Sequence, residues 1–523
     1  MREAWVCACI GMLCWSCSTG EGAGNAGAGS ERSLSQEQLR DPESCKGCHT
    51  THYRQWSGSM HAYASYDPVF QAMNRRAQEE TSGALGDFCV RCHAPVATEL
   101  GLTADGLNLD LLPAAVQGVG CFACHSVDAI DDDHNGALRL ATDGILRGGI
   151  QQPLAGAPHA AAYSELLDGE QAQSSLLCGA CHDVVLPGGL ELERTYQEWA
   201  HSVFGPERNA GTANAGDASL LTCAGCHLPQ TNEPTVAPGV LRSAAGSAPR
   251  PGMHDHTMPA VDVALSPFPQ TADVAFNRAV ESEHQSRVRA LLDTSLGVEI
   301  CVQLLPGQSS AVFVTLENAS AGHSFPSGAA QDRRAWVALR ALRGDQLLFE
   351  SGQVAPGEPV ARLEDENLWL FMDRIFDEND QPTTHFWNAR RIESSLIPAA
   401  TTFDPAARDF LNNHVTRRYP RSRDVAIAGV PDRVEVLVRM SPIGLEILED
   451  LNRSGHLASE VIAAAPTFDL IPNRHLADHA QLSNLAAVTF EWSASVKDSG
   501  AFATRILRDE AIAKDCVGSI QRF

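Results

Sequence analysis

The sequence predicts an α+β protein, with a mostly α-helical and loop domain first and an antiparallel β-sandwich-like domain after it. Two observations carry this. Between Asp41 and Val263 the pentapeptide Cys-x-x-Cys-His occurs five times, at intervals of 44, 32, 57 and 45 residues, which suits short helices and loops better than a conventional core. After Gly297 the texture changes to short apolar or alternating runs, among them VEICVQL, AVFVTLE, AWVALRAL and RVEVLVRM. They are separated by turn residues such as Pro306-Gly307 and Gly344-Asp345, the spacing of a sandwich. Short helices are expected near Asp404 to Asn413 and Ile443 to Leu451.

The five motifs begin at Cys45, Cys89, Cys121, Cys178 and Cys223 and end at His49, His93, His125, His182 and His227. Two cysteines three positions apart can add to the two vinyl groups of one haem, and the following histidine is then held beneath the iron. Cys45, Cys48, Cys89, Cys92, Cys121, Cys124, Cys178, Cys181, Cys223 and Cys226 are therefore the anchors expected for five covalently attached haem c groups. Zinc ribbons, thioredoxin-like pairs and structural disulfides also use Cys-x-x-Cys. None of them needs a histidine directly after each pair, and all five pairs here have one.

The apolar run Ala4 to Trp15 is too short for a confident membrane span and has the position of an export signal. Cys17 lies between Ser16 and a Gly/Ala/Ser-rich stretch, so the leader reads either as a lipoprotein signal with a lipid anchor on Cys17 or as an ordinary cleaved one. The division expected is a leader over 1–17, a flexible linker over 18–40, a haem domain over 41–270, a bridging helix over 271–295 and the sandwich over 296–523. A formal charge of −25, from 64 acidic and 39 basic residues, excludes nucleic acid as a natural partner. It suits an acidic, soluble surface or a basic redox partner.

A faint repeat runs through the first domain. Trp56-Ser-Gly-Ser59-Met-His61 follows the first motif and Trp199-Ala-His-Ser202-Val-Phe204 follows the fourth, with His61 replaced by Phe204. Cys-x-x-Cys-His followed by Trp-x-x-Ser-x-His and further Cys-x-x-Cys-His motifs resembles the multihaem cytochromes c of the c552/c554 type, which receive electrons from hydroxylamine oxidoreductase. The resemblance spans most of residues 41 to 330. It implies that His61, His159, His256 and His323 supply second axial ligands, with His254 the alternative to His256. A fifth second ligand is unassigned, with His52, His134, His201 and His284 as candidates. His284, on the amphipathic segment 273–292, is expected to be solvated or bonded to a partner.

Bis-histidine haems suit electron transfer, whereas a haem without its second ligand can bind a small molecule. The function expected is thus an exported electron carrier, periplasmic or outer-membrane-associated, that meets periplasmic or membrane redox proteins. The alternative is a multihaem oxidoreductase acting on a small inorganic nitrogen or sulfur compound at one open haem. No Cys-x-x-Cys-Lys occurs, which argues against the usual pentahaem nitrite reductase. Catalytic residues are not assigned. Cys301 and Cys516 either pair in a disulfide or remain buried thiols.

Overall fold

The structure is a computed structural model and describes residues 33–153, 158–206, 221–231, 253–267, 273–318, 320–402, 406–410, 412–470, 488–491 and 516–517. The leader, Cys17 and most of the Gly/Ala/Ser linker lie outside them. No helix among the described residues is long and apolar enough to cross a membrane.

The N-terminal region is built from short helices, of which three matter below: α1 (Thr50–Ser57), α2 (Pro68–Glu80) and α3 (Thr195–Ala200). Pro68 opens α2, where a missing N–H costs nothing, and the Asp67 carboxylate accepts the Val69 N–H at 2.9 Å. The two halves of the repeat fold alike. Trp56 donates its indole N–H to the Val119 carbonyl at 2.9 Å, two residues before Cys121, and Trp199 donates to the Leu221 carbonyl at 2.8 Å, two residues before Cys223. Each tryptophan thus ties the helix after one motif to the start of another.

Helix α4 (Val274–Leu292) follows, capped by Asp273, whose Oδ1 accepts the N–H groups of Ala275 and Phe276. Phe276 packs with Tyr53 and Trp56, while Val288 and Leu292 enter the core of the second domain. Where α1 ends, Gly58 lets the two helices touch: a Cβ there would lie 2.5 Å from the Val280 carbonyl oxygen. His284 is 2% exposed and its Nε2 has no hydrogen-bond partner among the described residues, so the expectation of a solvated or bonded side chain is corrected. The apolar face of α4 is buried on both domains and takes His284 with it.

Apart from a smaller three-stranded sheet of Asp373–Phe376, Pro382–Thr383 and Arg391–Ser394, which lies beside them in sequence, two antiparallel sheets form the core of the second domain. One orders β6 (His414–Tyr419), β2 (Ser309–Asn318), β1 (Leu296–Leu305) and β10 (Cys516–Val517). The other orders β4 (Gln346–Ser351), β3 (Arg334–Arg343), β7 (Arg433–Ser441) and β8 (Phe468–Leu470), with β5 (Trp369–Phe371) beside β3 and β9 (Val488–Glu491) beside β7. Alternate residues of each sheet meet in one core, Val298, Ile300, Val302, Val312, Val314 and Leu316 against Val337, Leu339, Val436, Val438 and Met440. Cys301 points away from this core and is disulfide-bonded, and the backbone of Cys516–Val517 pairs with the same strand. Residues 406–410 are turns rather than the expected helix, whereas Leu445–Arg453 is helical as α5.

Helix α5 lies along α2. Val69 and Ala72 pack against Ile447, Leu448 and Leu451, and Arg76 bridges Glu80 at 2.7 Å and Asp450 at 2.6 Å. Trp387 donates to Glu80 at 2.8 Å and His385 meets Asp450 at 3.0 Å. The two domains therefore enclose one wall of the site together.

Candidate haem-binding site

All five motifs open onto one cavity of about 2090 Å³, well beyond the roughly 300–1,000 Å³ of an ordinary small-ligand pocket. Its lining includes the ten motif cysteines, the five motif histidines and His61, His159, His256 and His323. Burial pushes the thiols of Cys89 and Cys124 up to about 12. They are protonated and apolar, as cysteines awaiting thioether bonds should be.

The histidines face each other in pairs. Ring centres lie 6.3 Å apart for His49 and His159, 6.5 Å for His125 and His256, 6.1 Å for His61 and His182, and 6.4 Å for His227 and His323. Two metal–nitrogen bonds of roughly 2 Å plus about 1 Å from each nitrogen to its ring centre give roughly 6 Å, so one iron fits between the rings of each pair.

Hydrogen bonds fix which nitrogen is available. The Nδ1–H groups of His93, His125, His227, His256 and His323 donate to the backbone carbonyls of Ala64, Arg147, Pro259, His254 and Ser324 at 3.0, 2.6, 2.7, 2.7 and 3.0 Å. A carbonyl can only accept, so Nδ1 carries the proton and Nε2 keeps a lone pair for iron. Burial lowers His61 to about 3 and His227 and His256 to about 4, which keeps these rings neutral. His182 differs. Burial would lower it, but the Glu193 carboxylate, 3.8 Å from its Nδ1, raises it to about 9. A carboxylate partner makes this ring a stronger donor than its carbonyl-bonded counterparts.

Neighbouring thiols give the order of the motifs in space. Cys45 hydrogen-bonds Cys121, Cys92 meets Cys181, Cys178 meets Cys223, and Cys124 lies within electrostatic reach of Cys178 and Cys181. The first motif thus neighbours the third, the third neighbours the fourth, and the fourth neighbours both the second and the fifth.

His93 has no facing histidine among the described residues. Its ring is instead stacked on Phe70 of α2, centres 3.9 Å apart and planes 3° from parallel. Of the candidates for a fifth second ligand, His52 lies edge-on to His256 at 4.7 Å, His134 pairs with Asp132 and Asp133, and His201 is exposed with its Nδ1 at 2.6 Å from the Gln197 carbonyl. His254 lines the cavity and turns its Nδ1 to Leu228, while His256, one of the two expected there, faces His125. Phe204 abuts Gly322, next to His323. In the second half of the repeat the facing histidine therefore comes from the sandwich, where the first half uses His61. Sequence reasoning missed Phe70, Glu193 and the segment Gln331-Asp332-Arg333, which also line or border the cavity. Nothing in Gln-Asp-Arg-Arg before an apolar strand distinguishes it from ordinary turn chemistry.

Facing histidines, ten cysteines in Cys-x-x-Cys pairs and a largely apolar cavity fit covalently bound haem. Residues 44–126, which hold three of the five motifs, match the family "Cytochrome c554 and c-prime". No curated protein matches the chain. Among solved structures, a penta-heme cytochrome c552 from Thermochromatium tepidum shares the fold, with a TM-score of 0.53 and 19% identity, over 83% of this chain and 98% of that one. The chain thus resembles the multihaem c-type cytochromes in its motifs, in the family match over residues 44–126 and in its fold.

Proposed function

We propose that the protein is an exported pentahaem cytochrome c that passes single electrons between partners outside the cytoplasm. The observation that carries this reading is the set of four facing histidine pairs in one cavity, with every motif beside another. Haem supplies a one-electron couple whose potential its axial ligands and surroundings set. The chain's part is to orient each imidazole through its Nδ1 partner, exclude water and place neighbouring groups close together. The arrangement of motifs makes the fourth a junction, with the first and third on one side and the second and fifth on the other. A penta-heme relative of the same fold is consistent with five groups here.

Intact-mass spectrometry of the purified protein tests both the count and the export. The expected mass is that of a chain shortened near Cys17 plus five haems, falling by one haem when both cysteines of any one motif become alanine. A full-length chain, or fewer than five haems in the parent protein, contradicts the proposal.

A second reading rests on one observation, the lack of a facing histidine at His93 among the described residues. The group held there is open to a small molecule, and a nitrogen or sulfur compound binding at it would draw electrons through the fourth motif. On this reading the same chain is both wire and oxidoreductase.

A further inference from the structure

Directly after the fourth motif the chain makes a hairpin that returns to it. Val184 and Val185 pair with Glu193 and Glu191, the Leu186 N–H donates to the Leu190 carbonyl at 2.8 Å, and Gly189 takes the turn at φ +82°. The returning strand sets the Glu193 carboxylate 3.8 Å from Nδ1 of His182, and both residues line the cavity. The end of the hairpin is fixed on the sandwich. The Thr195 hydroxyl, 3.5 Å from Glu193 Oε1, lies 2.9 Å from the Ser327 hydroxyl and accepts the Gly328 N–H at 3.0 Å. The guanidinium groups around it are engaged elsewhere. Arg194 turns to Asp183 at 3.2 Å and Glu191 at 3.3 Å, and Arg333 holds both oxygens of Asp262 at 3.0 Å. The side chain of Glu193 is 15% exposed, so salt and solvent screen its charge little.

The motifs that flank the fourth are built differently. His125 of the third and His227 of the fifth turn Nδ1 to the neutral carbonyls of Arg147 and Pro259. Contacts between motifs keep the groups close. The Cys223 N–H of the fifth donates at 3.1 Å to the Ser175 hydroxyl, three residues before Cys178, and Cys124 of the third lies within electrostatic reach of Cys178 and Cys181. An imidazole that faces a carboxylate is a stronger donor to its metal than one bonded to a carbonyl. At 3.8 Å, beyond hydrogen-bond length, the carboxylate acts by its charge. Iron(III) carries one more positive charge than iron(II), so a fixed negative charge favours the oxidised form and lowers the potential.

We propose that Glu193 holds the haem of the fourth motif at a lower potential than those of the third and fifth motifs, so that the junction is reduced after them and parts the electrons into two pools. The inference rests on the electron-carrier reading and adds to it where the electrons reside. Each group takes one electron, iron(III) becoming iron(II), from an external reduced carrier, and no bond breaks. An electron passing from the third motif to the fifth has to climb onto the fourth, which makes exchange between the pools slower than exchange within them. Glu193 is a positioning and charge-bearing residue here, not a ligand. It also bears on His93, behind burial and the Ala64 carbonyl, so the group of the second motif should follow the fourth in the same direction by less.

The experiment is a redox titration of the haem-loaded full chain, followed by electron paramagnetic resonance at poised potentials, in the parent, Glu193→Gln and Glu193→Asp. The components are assigned by removing the facing rings: His61→Ala abolishes the low-spin signal of the fourth group, His256→Ala that of the third and His323→Ala that of the fifth. In the parent the fourth component should be reduced after the third and fifth. Glutamine has the same size without the charge and should raise the reduction equilibrium of the fourth component about tenfold, ~59 mV for one electron, with the third and fifth unmoved. Aspartate keeps the charge one methylene further away and should fall between the two. A parent in which the fourth component is reduced before the third or fifth overturns the proposal, and so does a fourth component that glutamine leaves in place. If Glu193→Gln does not accumulate, the order of reduction in the parent decides. Fewer than five haems by intact mass would overturn the electron-carrier reading itself, whereas five haems with the wrong order sink this inference alone.

Discussion

Replacing His323 with alanine is expected to turn the haem attached at Cys223 and Cys226 from low-spin to high-spin while the others keep their ligands. The ring of His323 lies 6.4 Å from that of His227, with planes 16° apart. Its loop is held independently of the ligand. Asn318, 2% exposed, donates to the His323 carbonyl at 2.7 Å, and Phe325 forms a bridge with Ile397. The alanine variant should therefore fold, leave an imidazole-sized gap and take up added imidazole, which restores the low-spin signal. A variant whose spin state matches the parent shows that another group ligates that haem. The same change at Phe204, which stands where His61 does in the first half of the repeat, should leave the spin state alone.

Arg334→Ala is expected to destabilise the sandwich by about 3–5 kcal/mol, the usual result of removing one partner from a buried ion pair. Arg334 is 2% exposed at the start of β3 and donates its Nε to Glu446 at 2.6 Å, while its Nη1 serves the carbonyls of Gln331 and Arg333. Glu446 sits in the first turn of α5, so the pair ties the second sheet to the helix that packs on α2. Alanine leaves a mostly buried carboxylate and two carbonyls without their donor. Denaturant unfolding followed by far-ultraviolet circular dichroism measures the loss, and a change under about 1 kcal/mol would show that the carboxylate finds water instead.

The haem anchors were legible because the chemistry is local: thioether formation and proximal ligation need five consecutive positions. The facing histidines were legible in a weaker sense. Resemblance singled out His61, His159, His256 and His323, and the fold brings each of them opposite a motif histidine. Which motif each one faces was not legible, since His61 follows the first motif and faces the fourth. The sandwich announced itself through its alternation, but the helix expected near 404–413 dissolved into turns over its described part. His284 was misjudged because its neighbours on α4 are polar in sequence, while the helix is gripped from two domains. Asp67, Asp332 and Arg333 carried no signal, because they line the cavity only once segments far apart in the chain come together. The lack of a facing histidine at His93 among the described residues was equally silent, being an absence rather than a motif.

The most direct test of the account is low-temperature electron paramagnetic resonance on the purified, fully oxidised protein, with haem content fixed by intact mass. Four facing pairs, and a His93 with no facing histidine among the described residues, predict four low-spin components and one high-spin component, the latter altered by hydroxylamine or nitrite. Five low-spin components would contradict the open position, requiring a second ligand at His93, and would leave the proposed electron carrier alone standing.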